Sequence, residues 1–305
     1  MKQFQFLFLA ISLVYFSACG DTDPSEFTGT ADDVLAMLQE DSPVQEFTVS
    51  NAGFDIITDN NTLISVAPRT FVNADGSPYN GSFVLSVIEL QTKSDIMRYG
   101  YQTLTVDGEI LTSDGEFRFE AVAADTTELV LAEGAFLDIR IPNEAPSSEA
   151  ILFELSGEQL WTPLESDGQS VGISEWEVGE NEWSFGYDTR FPTLDWVNVD
   201  YFTKFDEPLT DISLCLPRGY GLDNTMVFIV FSDRDIVLSP TMDGTAFTAP
   251  LPIGENVHVV AITAEGEDRF RIAKEEVVIV DNLKVDLEPD SASKEEIIEC
   301  LENLD

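Results

Sequence analysis

The chain has little histidine, little cysteine and few basic residues. Its 305 residues include one histidine, His258, and three cysteines. A lone histidine in an apolar, strand-like segment is a poor base for a Ser–His–Asp triad, and no G-x-S-x-G segment supplies an activated serine. Zinc sites need several Cys or His ligands, which are equally scarce. The sequence therefore predicts a protein that is not an enzyme, with no catalytic residues.

Positive charge is also scarce. The chain has 15 Lys and Arg against 57 Asp and Glu, and its formal net charge at pH 7 is −42. Nucleic acids and anionic lipids bind basic patches, so neither is expected as a partner. Acidity along the whole chain is typical of a protein that stays soluble in salt, where repulsion is screened over about 10 Å. The alternative is a surface that gathers cations such as Ca²⁺.

Long apolar runs are missing except near the N-terminus, where residues 4–16 are almost wholly apolar and follow the basic Lys2. This run is shorter than the about 20 apolar residues that span a bilayer. A basic start, a short apolar core and small residues before Cys19 are typical of a secretory signal peptide. We expect residues 1–19 to be this signal, cleaved before Cys19.

The segment Phe16-Ser17-Ala18-Cys19-Gly20 resembles the lipobox of bacterial lipoproteins. The resemblance implies that Cys19 is the lipid attachment site and carries acyl chains such as palmitate. Several chains would hold the protein firmly on a membrane, whereas one chain binds only marginally. The alternative is an ordinary secretory signal with an incidental cysteine.

The acidic segment Gly20-Asp21-Thr22-Asp23-Pro24-Ser25-Glu26 follows directly. It resembles the acidic tag of surface-exposed lipoproteins of the Bacteroidota, which implies an outer-membrane location. Whether the protein faces the surface or the periplasm stays undecided, because a plain spacer would have the same composition.

Most of the remaining chain has the pattern of β-strands. Apolar and polar residues alternate in 115–121 and 137–141, which predicts strands with one face on a core. Residues 82–90 and 225–231 are more continuously apolar and predict more buried strands. Residues 113–115 are predicted as a turn, because their glycine can adopt positive φ.

Two short helices are predicted, one at each end of the folded chain. Thr30 is the expected N-cap of the first, and Ser293 with Glu296 forms a capping box for the last. We therefore expect a mostly β protein with two β-sandwich domains and a short helix at either end. The predicted order is a signal peptide (1–19), an acidic tether with the short helix (20–46), a first sandwich (47–142), an aromatic-rich connector that also contributes strands (143–200), a second, Ig-like or transthyretin-like sandwich (201–290) and a C-terminal helix (291–305).

The connector carries the best candidates for residues that bind a ligand. Trp176, Trp183 and Trp196 fall within it. Exposed indole rings stack on sugars, and in protein interfaces they anchor the partner. The alternative is that these rings are buried in a core between the domains.

Two further groups of residues have alternative interpretations. Cys215 and Cys300 are candidates for a disulfide in an exported protein, or for two separate buried thiols. Asp195 and Asp200 flank Trp196 and are the most suggestive carboxyl pair for a hydrolase, although a solvated loop with a packing tryptophan is the favoured interpretation, because a hydrolase also needs one pKa raised by burial.

Ca²⁺ is the one cofactor with any support, because it binds six to eight oxygens. Two oxygen-rich segments are candidates, yet neither has the spacing of a calcium loop, and Asp and Asn favour turns in their own right. The segments are Asp55, Asp59, Asn60 and Asn61, and Ser232-Asp233-Arg234-Asp235. We therefore expect no required cofactor, and the metal ligands stay unassigned.

Residues 62–142 resemble a module of Bacteroidota lipoproteins that is distantly similar to the β-sandwich of ankyrins and netrin receptors. The resemblance is carried by residues 64–76, 89–97 and 115–121. It implies a sandwich used for protein contacts or domain packing. Residues 194–200 resemble a G-W-x-N-x-D signature that often follows the module, with Asp195 in place of the glycine and Val199 in place of a frequent cysteine.

These patterns together predict an outer-membrane lipoprotein, attached to the membrane through lipid on Cys19, that acts as a non-catalytic binding or structural module. Its partner would be an envelope protein or a glycan. The first alternative is a glycan-binding accessory lipoprotein of a polysaccharide-uptake system. The second is a carboxylate-dependent hydrolase, which needs a cleft with paired carboxyls, one of them with a strongly raised pKa.

Overall fold

The computed structural model describes residues 27–40, 42, 44–164, 170–179, 182–266 and 268–305. The signal peptide, Cys19 and the acidic segment after it lie outside the described residues. The fold class is as predicted: a mostly β protein with sandwich-like pairs of sheets and short helices near both ends. The described helices are α1 (Ala31–Gln39), α2 (Lys93–Arg98) and α3 (Lys294–Glu302).

The first sandwich uses strands from both the predicted first domain and the predicted connector. Its strands are β1 (Gln45–Ser50), β2 (Phe54–Ile57), β3 (Leu63–Val66), β4 (Phe71–Asn73), β5 (Ser82–Leu90), β6 (Leu111–Ala123), β7 (Glu128–Leu131), β8 (Leu137–Pro142), β9 (Ile151–Ser156), β10 (Leu160–Pro163), β11 (Gly172–Gly179), β12 (Glu182–Phe191) and β13 (Val197–Phe202). Strand β13 lies between β6 and β9, so the segment 143–200 completes both sheets of this sandwich.

Two antiparallel sheets form this sandwich. Sheet I has the order β1-β5-β6-β13-β9-β10, with β7 beside β6 and β4 beside β7, and sheet II has the order β11-β12-β8-β3-β2. Alternate strand residues point between the sheets, where Phe71, Phe83, Phe117 and Phe191 are fully buried. Burying one such side chain stabilises the fold by about 1.5–3 kcal/mol.

The second sandwich also consists of two sheets. Its strands are β14 (Leu209–Cys215), β15 (Thr225–Phe231), β16 (Val237–Leu238), β17 (Thr241–Asp243), β18 (Ala246–Pro252), β19 (Asn256–Gly266), β20 (Arg269–Val278), β21 (Lys284–Asp286) and β22 (Asp290–Ala292). Sheet III has the order β17-β18-β14-β21, with β21 parallel to β14. Sheet IV has the order β16-β15-β19-β20-β22.

The three helices of the described chain lie where the two sandwiches meet. Alternate residues of β15, such as Phe228 and Val230, turn away from the second core and pack in a separate apolar cluster. That cluster also contains Leu90 and Trp161 of sheet I and apolar residues of α1, α2 and α3. Both faces of sheet IV are therefore covered, which explains why β15 is apolar on both sides.

All three helices start with a capping box, in which the N-cap side chain and the third helical residue satisfy each other's backbone N–H groups. Thr30 caps α1 and Ser293 caps α3, as predicted. Thr92 caps α2 with Asp95 as its partner, and this helix was not predicted. None of the described helices is long and apolar enough to cross a membrane.

One predicted turn is wrong. Residues 113–115 lie inside the long strand β6 rather than between strands. Gly115 has φ +133°, and the pairing of β6 with β13 shifts register between Asn198 and Asp200. The glycine therefore permits a β-bulge, which bends the strand without ending it.

Candidate functional site

The bulge in β6 places three carboxyl groups close together, which we call the buried carboxyl cluster: Asp114, Glu116 and Asp200. The backbone N–H of Asp114 donates to Oδ1 of Asp200 at 3.3 Å. Nδ2 of Asn198 donates to Oδ2 of Asp200 at 2.5 Å. The Trp196–Asp200 motif found in the sequence therefore has a structural role, because its last two polar residues hold the bulge together.

Glu116 is the most unusual member of the cluster. It is fully buried, and neither of its carboxyl oxygens has a hydrogen-bond partner within the described part of the chain. Burial raises the pKa of Glu116 well above its ordinary value, with a further upward effect from the charge of Asp200. Burial also raises the pKa of Asp200, although hydrogen bonds oppose that shift. A buried carboxyl without donors favours its neutral form, because desolvation penalises the charge.

The second domain and α2 cover the cluster. The backbone N–H of Ser113 donates to the carbonyl of Asp235 at 2.9 Å, and burial raises the pKa of the Asp235 carboxyl. Lys93 of α2 is buried nearby, with Nζ donating to the carbonyl of Phe231 at 3.2 Å. Glu116 and Asp200 are thus fully buried near the domain interface, whereas Asp114 is only partly buried.

The structure does not bring the two acids around Trp196 together. Asp195 is exposed and lines a surface groove with Arg118, whereas Asp200 is fully buried. Asp200 interacts electrostatically instead with Asp114 and Glu116, the other two members of the cluster. Neither Glu116 nor Asp200 lines this surface groove or the apolar cavity between the two sandwiches. The carboxyls whose pKa is raised, as a hydrolase requires, therefore lie outside both.

Of the three candidate binding tryptophans, Trp183 alone is exposed. Its side chain is 65% exposed, whereas Trp176 and Trp196 are buried. Trp196 makes edge contacts with Tyr99 and Tyr101, with ring centroids 5.5 and 4.9 Å away. Stacking of Trp176 or Trp196 on a ligand is therefore excluded in this conformation, because a buried ring offers no free face.

Trp183 lies on the hairpin of β11 and β12. It pairs with Glu177, and the next residue on the same face, Phe185, pairs with Glu175. Phe185 is 42% exposed. The hairpin therefore presents two aromatic rings beside acidic side chains, an arrangement that can stack on a sugar and accept hydrogen bonds from its hydroxyls.

An apolar cavity lies between the two sandwiches, and we call it the interdomain groove. It has a volume of about 300 Å³, at the lower end of the range for ligand pockets, about 300–1,000 Å³. Its lining comes from the loop after α2, the end of β13, the linker to β14, and strands β16 to β18. The lining residues are Leu104, Gly108, Glu109, Ile110, Phe202, Thr203, Phe205, Leu209, Leu238, Ser239, Pro240, Thr241, Thr248, Ala249 and Pro250.

Direct hydrogen bonds between the sandwiches hold the walls of this groove in place. The backbone N–H of Thr103 donates to the carbonyl of Val237 at 2.7 Å. The backbone N–H of Val237 donates back to Oγ1 of Thr103 at 3.1 Å. The side chain of Gln102 accepts from the N–H of Ser239 at 3.1 Å. Reciprocal bonds of this kind make the groove a preformed feature of the interface.

Most of the residues proposed from sequence for Ca²⁺ lie in turns and loops, whereas Asp55 lies inside strand β2 and pairs with Ser65. Asn61 has φ +63° and belongs to the turn between β2 and β3, and residues 232–235 connect β15 to β16. Within the described part of the chain, no group of three or more His, Cys, Asp or Glu side chains could hold a metal. His258 lies on β19, where burial lowers its pKa, and its buried Nδ1 atom has no hydrogen-bond partner among the residues described.

The structure contains no bond between Cys215 and Cys300, both of which are described. Cys215 is buried at the end of β14, and Cys300 is a half-buried free thiol in α3. Sheet IV separates them, because α3 packs on its outer face and β14 belongs to the sheet on the other side. Packed sheets lie about 10 Å apart, more than the about 4.4–6.8 Å between the Cα atoms of a disulfide.

Two features of the site were missed by sequence reasoning. Helix α2 had a usable signal, because Thr92-Lys93-Ser94-Asp95 has the same capping-box spacing as the two predicted helices. The interdomain groove had none, since its lining is gathered from residues 104 to 250.

Comparison of the chain with known protein families, with curated proteins and with solved structures found no match.

Proposed function

We propose that this chain is a lipid-anchored outer-membrane lipoprotein that acts as a non-catalytic binding module. The observation that carries the proposal is the interdomain groove, a ligand-sized apolar cavity at the junction of two domains. Ligand pockets occur preferentially at such junctions. In this proposal the interdomain groove binds a small molecule, and lipid on Cys19 attaches the protein to the membrane.

The start of the fold is compatible with a short tether. The ring of Phe27 packs on Tyr220 with centroids 5.0 Å apart, and the N–H of Thr28 donates to the carbonyl of Glu265 at 3.0 Å. Gly29 lies so close to Ala264 that a Cβ would come within 2.6 Å of the Cβ of Ala264. Eight residue steps separate Cys19 from Phe27 and span at most about 28 Å. A lipid on Cys19 would therefore hold the second sandwich close to the membrane.

A non-catalytic role is favoured by the location of the acidic groups. Glu116 and Asp200 have raised pKa values and are fully buried. A general acid must come within about 3 Å of the substrate atom that it protonates. The cover of α2 and the second domain over this pair favours a role in domain packing.

Lipid attachment can be tested in cells with the substitution Cys19→Ala. Metabolic labelling with an alkyne fatty acid should mark the wild-type chain and leave Cys19→Ala unlabelled. Cys300→Ala is the matched control and should be labelled like the wild type, because it removes a different cysteine. Equal labelling of the wild type and Cys19→Ala would show that Cys19 does not carry the lipid.

A second candidate is glycan binding at the β11–β12 hairpin, favoured by the exposed ring of Trp183. A polysaccharide panel in affinity gels would test it with the substitution Trp183→Ala. Loss of a stacking ring should release a bound polysaccharide, whereas Leu222→Ala, another exposed apolar side chain, should not change migration. Equal retardation of the wild type and Trp183→Ala by the same polysaccharide would remove this candidate.

A further inference from the structure

The interdomain groove has a buried apolar floor and a solvent-exposed rim. Its floor is apolar, since Ile110, Leu238 and Ala249 are buried members of the second core. At its rim, Leu209 stays 56% exposed. A volume of about 300 Å³ corresponds to about ten water molecules, at about 30 Å³ of liquid volume each. Such a site fits a short apolar body, because burial of apolar area drives its binding.

The polar side chains of the groove offer acceptors more than donors. Among the described residues of the lining, Glu109 is the one that carries a charge, and none is Lys, Arg or His. The hydroxyl of Thr248 donates to the carbonyl of Thr241 at 3.4 Å, and the hydroxyl of Thr241 donates to the carbonyl of Thr248 at 3.5 Å. The Thr203 hydroxyl is paired with that of Thr112 at 2.7 Å. The head group of a ligand would therefore meet a carboxylate and hydroxyl lone pairs.

The net charge of the protein also favours a cationic ligand over an anionic one. A net charge of −42 repels an anionic ligand on approach, although salt screens this field beyond about 10 Å. Within the groove the local carboxylate of Glu109 decides the preference, because it lies inside that distance. An ammonium group can pair with Glu109, which is exposed at this wall, whereas a ligand carboxylate would be repelled by its charge.

We propose that the interdomain groove binds a small amphiphile with a short apolar tail and a cationic, hydrogen-bond-donating head. This inference rests on the proposed binding function and names its ligand class. The tail lies on the floor formed by Ile110, Leu238 and Ala249, and the head pairs with Glu109. Fatty acids and anionic lipids are disfavoured in the same groove.

Three probes with the same ten-carbon tail test the head group: decylamine, which is protonated at pH 7, decanol and decanoate. Isothermal titration calorimetry would use the chain from Gly20 onward, which retains every described residue, at probe concentrations below micelle formation. Decylamine should bind with a stoichiometry near one, and decanoate at least about tenfold more weakly. Equal or tighter binding of decanoate would overturn the proposal.

Two variants place the probe in the groove. Glu109→Gln should weaken decylamine binding about two- to fivefold, the effect of one exposed ion pair, and leave decanol binding unchanged. Thr248→Phe should abolish both by filling the cavity. The matched controls are Glu120→Gln, which removes an exposed charge elsewhere, and Thr48→Phe, which enlarges an exposed side chain on the edge strand β1; neither should change binding.

The outcomes separate the two proposals. Saturable decylamine binding that is lost in Thr248→Phe supports the groove as the site. Binding that Thr248→Phe leaves intact, or a loss in Glu120→Gln as large as in Glu109→Gln, shows nonspecific attraction to an acidic surface and overturns the inference. Absence of binding by all three probes also overturns it, while lipid labelling of Cys19 tests the anchor independently.

Discussion

The phenol of Tyr187 donates a 2.5 Å hydrogen bond to Oδ2 of Asp114, and this contact joins the two sheets of the first sandwich. Tyr187 belongs to β12 of sheet II, and Asp114 lies at the bulge of β6 in sheet I. Nδ2 of Asn143 donates to the other carboxyl oxygen at 2.9 Å. Burial raises the pKa of Asp114, and the bonds from Tyr187 and Asn143 oppose that rise.

Tyr187→Phe should lower the free energy of unfolding by about 1–3 kcal/mol, because the partly buried Asp114 loses one of its two side-chain donors. Urea unfolding followed by tryptophan fluorescence measures this change. Tyr79→Phe is the matched control, since the Tyr79 hydroxyl donates to the carbonyl of Ser82 at an exposed position and its loss should cost less. Equal costs for the two variants would show that the Tyr187–Asp114 contact has no special weight.

Glu116→Gln should make the stability of the protein less dependent on pH. The folded-state pKa of Glu116 is raised above its ordinary value by burial, so its contribution to stability is fully present below about pH 4 and is lost as pH rises toward the folded pKa. Over that window one group changes the free energy of unfolding by about 1 kcal/mol per pH unit. The neutral glutamine removes this slope and should stabilise the protein at pH 8 relative to the wild type.

The control for this experiment is Glu120→Gln, because Glu120 is exposed on the same strand and the substitution removes the same charge from a chain of net charge −42. Unfolding free energies at half-unit steps from pH 4.5 to 8 compare the three proteins. A wild-type slope that Glu116→Gln leaves unchanged would mean that Glu116 is not protonated in the folded state. An equal change in Glu120→Gln would assign the effect to net charge.

Trp161→Ala should destabilise the protein far more than Trp183→Ala. Trp161 is fully buried in the cluster between the sandwiches, and its Nε1 donates to the carbonyl of Gln102 at 2.8 Å. Removing a buried tryptophan side chain costs about 3–5 kcal/mol, whereas an exposed one changes stability by about 0.5 kcal/mol or less. Thermal unfolding of both variants measures the difference, and similar midpoints would contradict the arrangement at the interface.

The thiols of Cys215 and Cys300 should both be present in the folded protein. Without reductant, a maleimide should modify the half-buried Cys300 slowly, and the buried Cys215 only after unfolding. Burial also raises the pKa of Cys300, which lowers its thiolate fraction at neutral pH. Intact mass after labelling in denaturant measures the result. A chain that needs reductant before Cys300 can be labelled would contradict the separation of these residues by sheet IV.

Local sequence determined the features that depend on neighbouring residues. Thr30 and Ser293 begin helices because each is followed at the third helical position by an acid that completes the cap. The strand at residues 225–231 follows from its apolar run. The β-rich fold class and the strongly acidic surface follow from composition and alternation in the same way.

Tertiary structure decided which polar and aromatic residues are buried. Asp195 and Asp200 are five positions apart, yet the first is exposed and the second is fully buried. Trp176 and Trp183 lie on paired strands of one hairpin, yet the second alone is exposed. Thr103 and Val237, whose hydrogen bonds join the domains beside the groove, are 134 positions apart. Local pattern carries no information about such contacts, because burial and pKa depend on which distant segments pack against a residue.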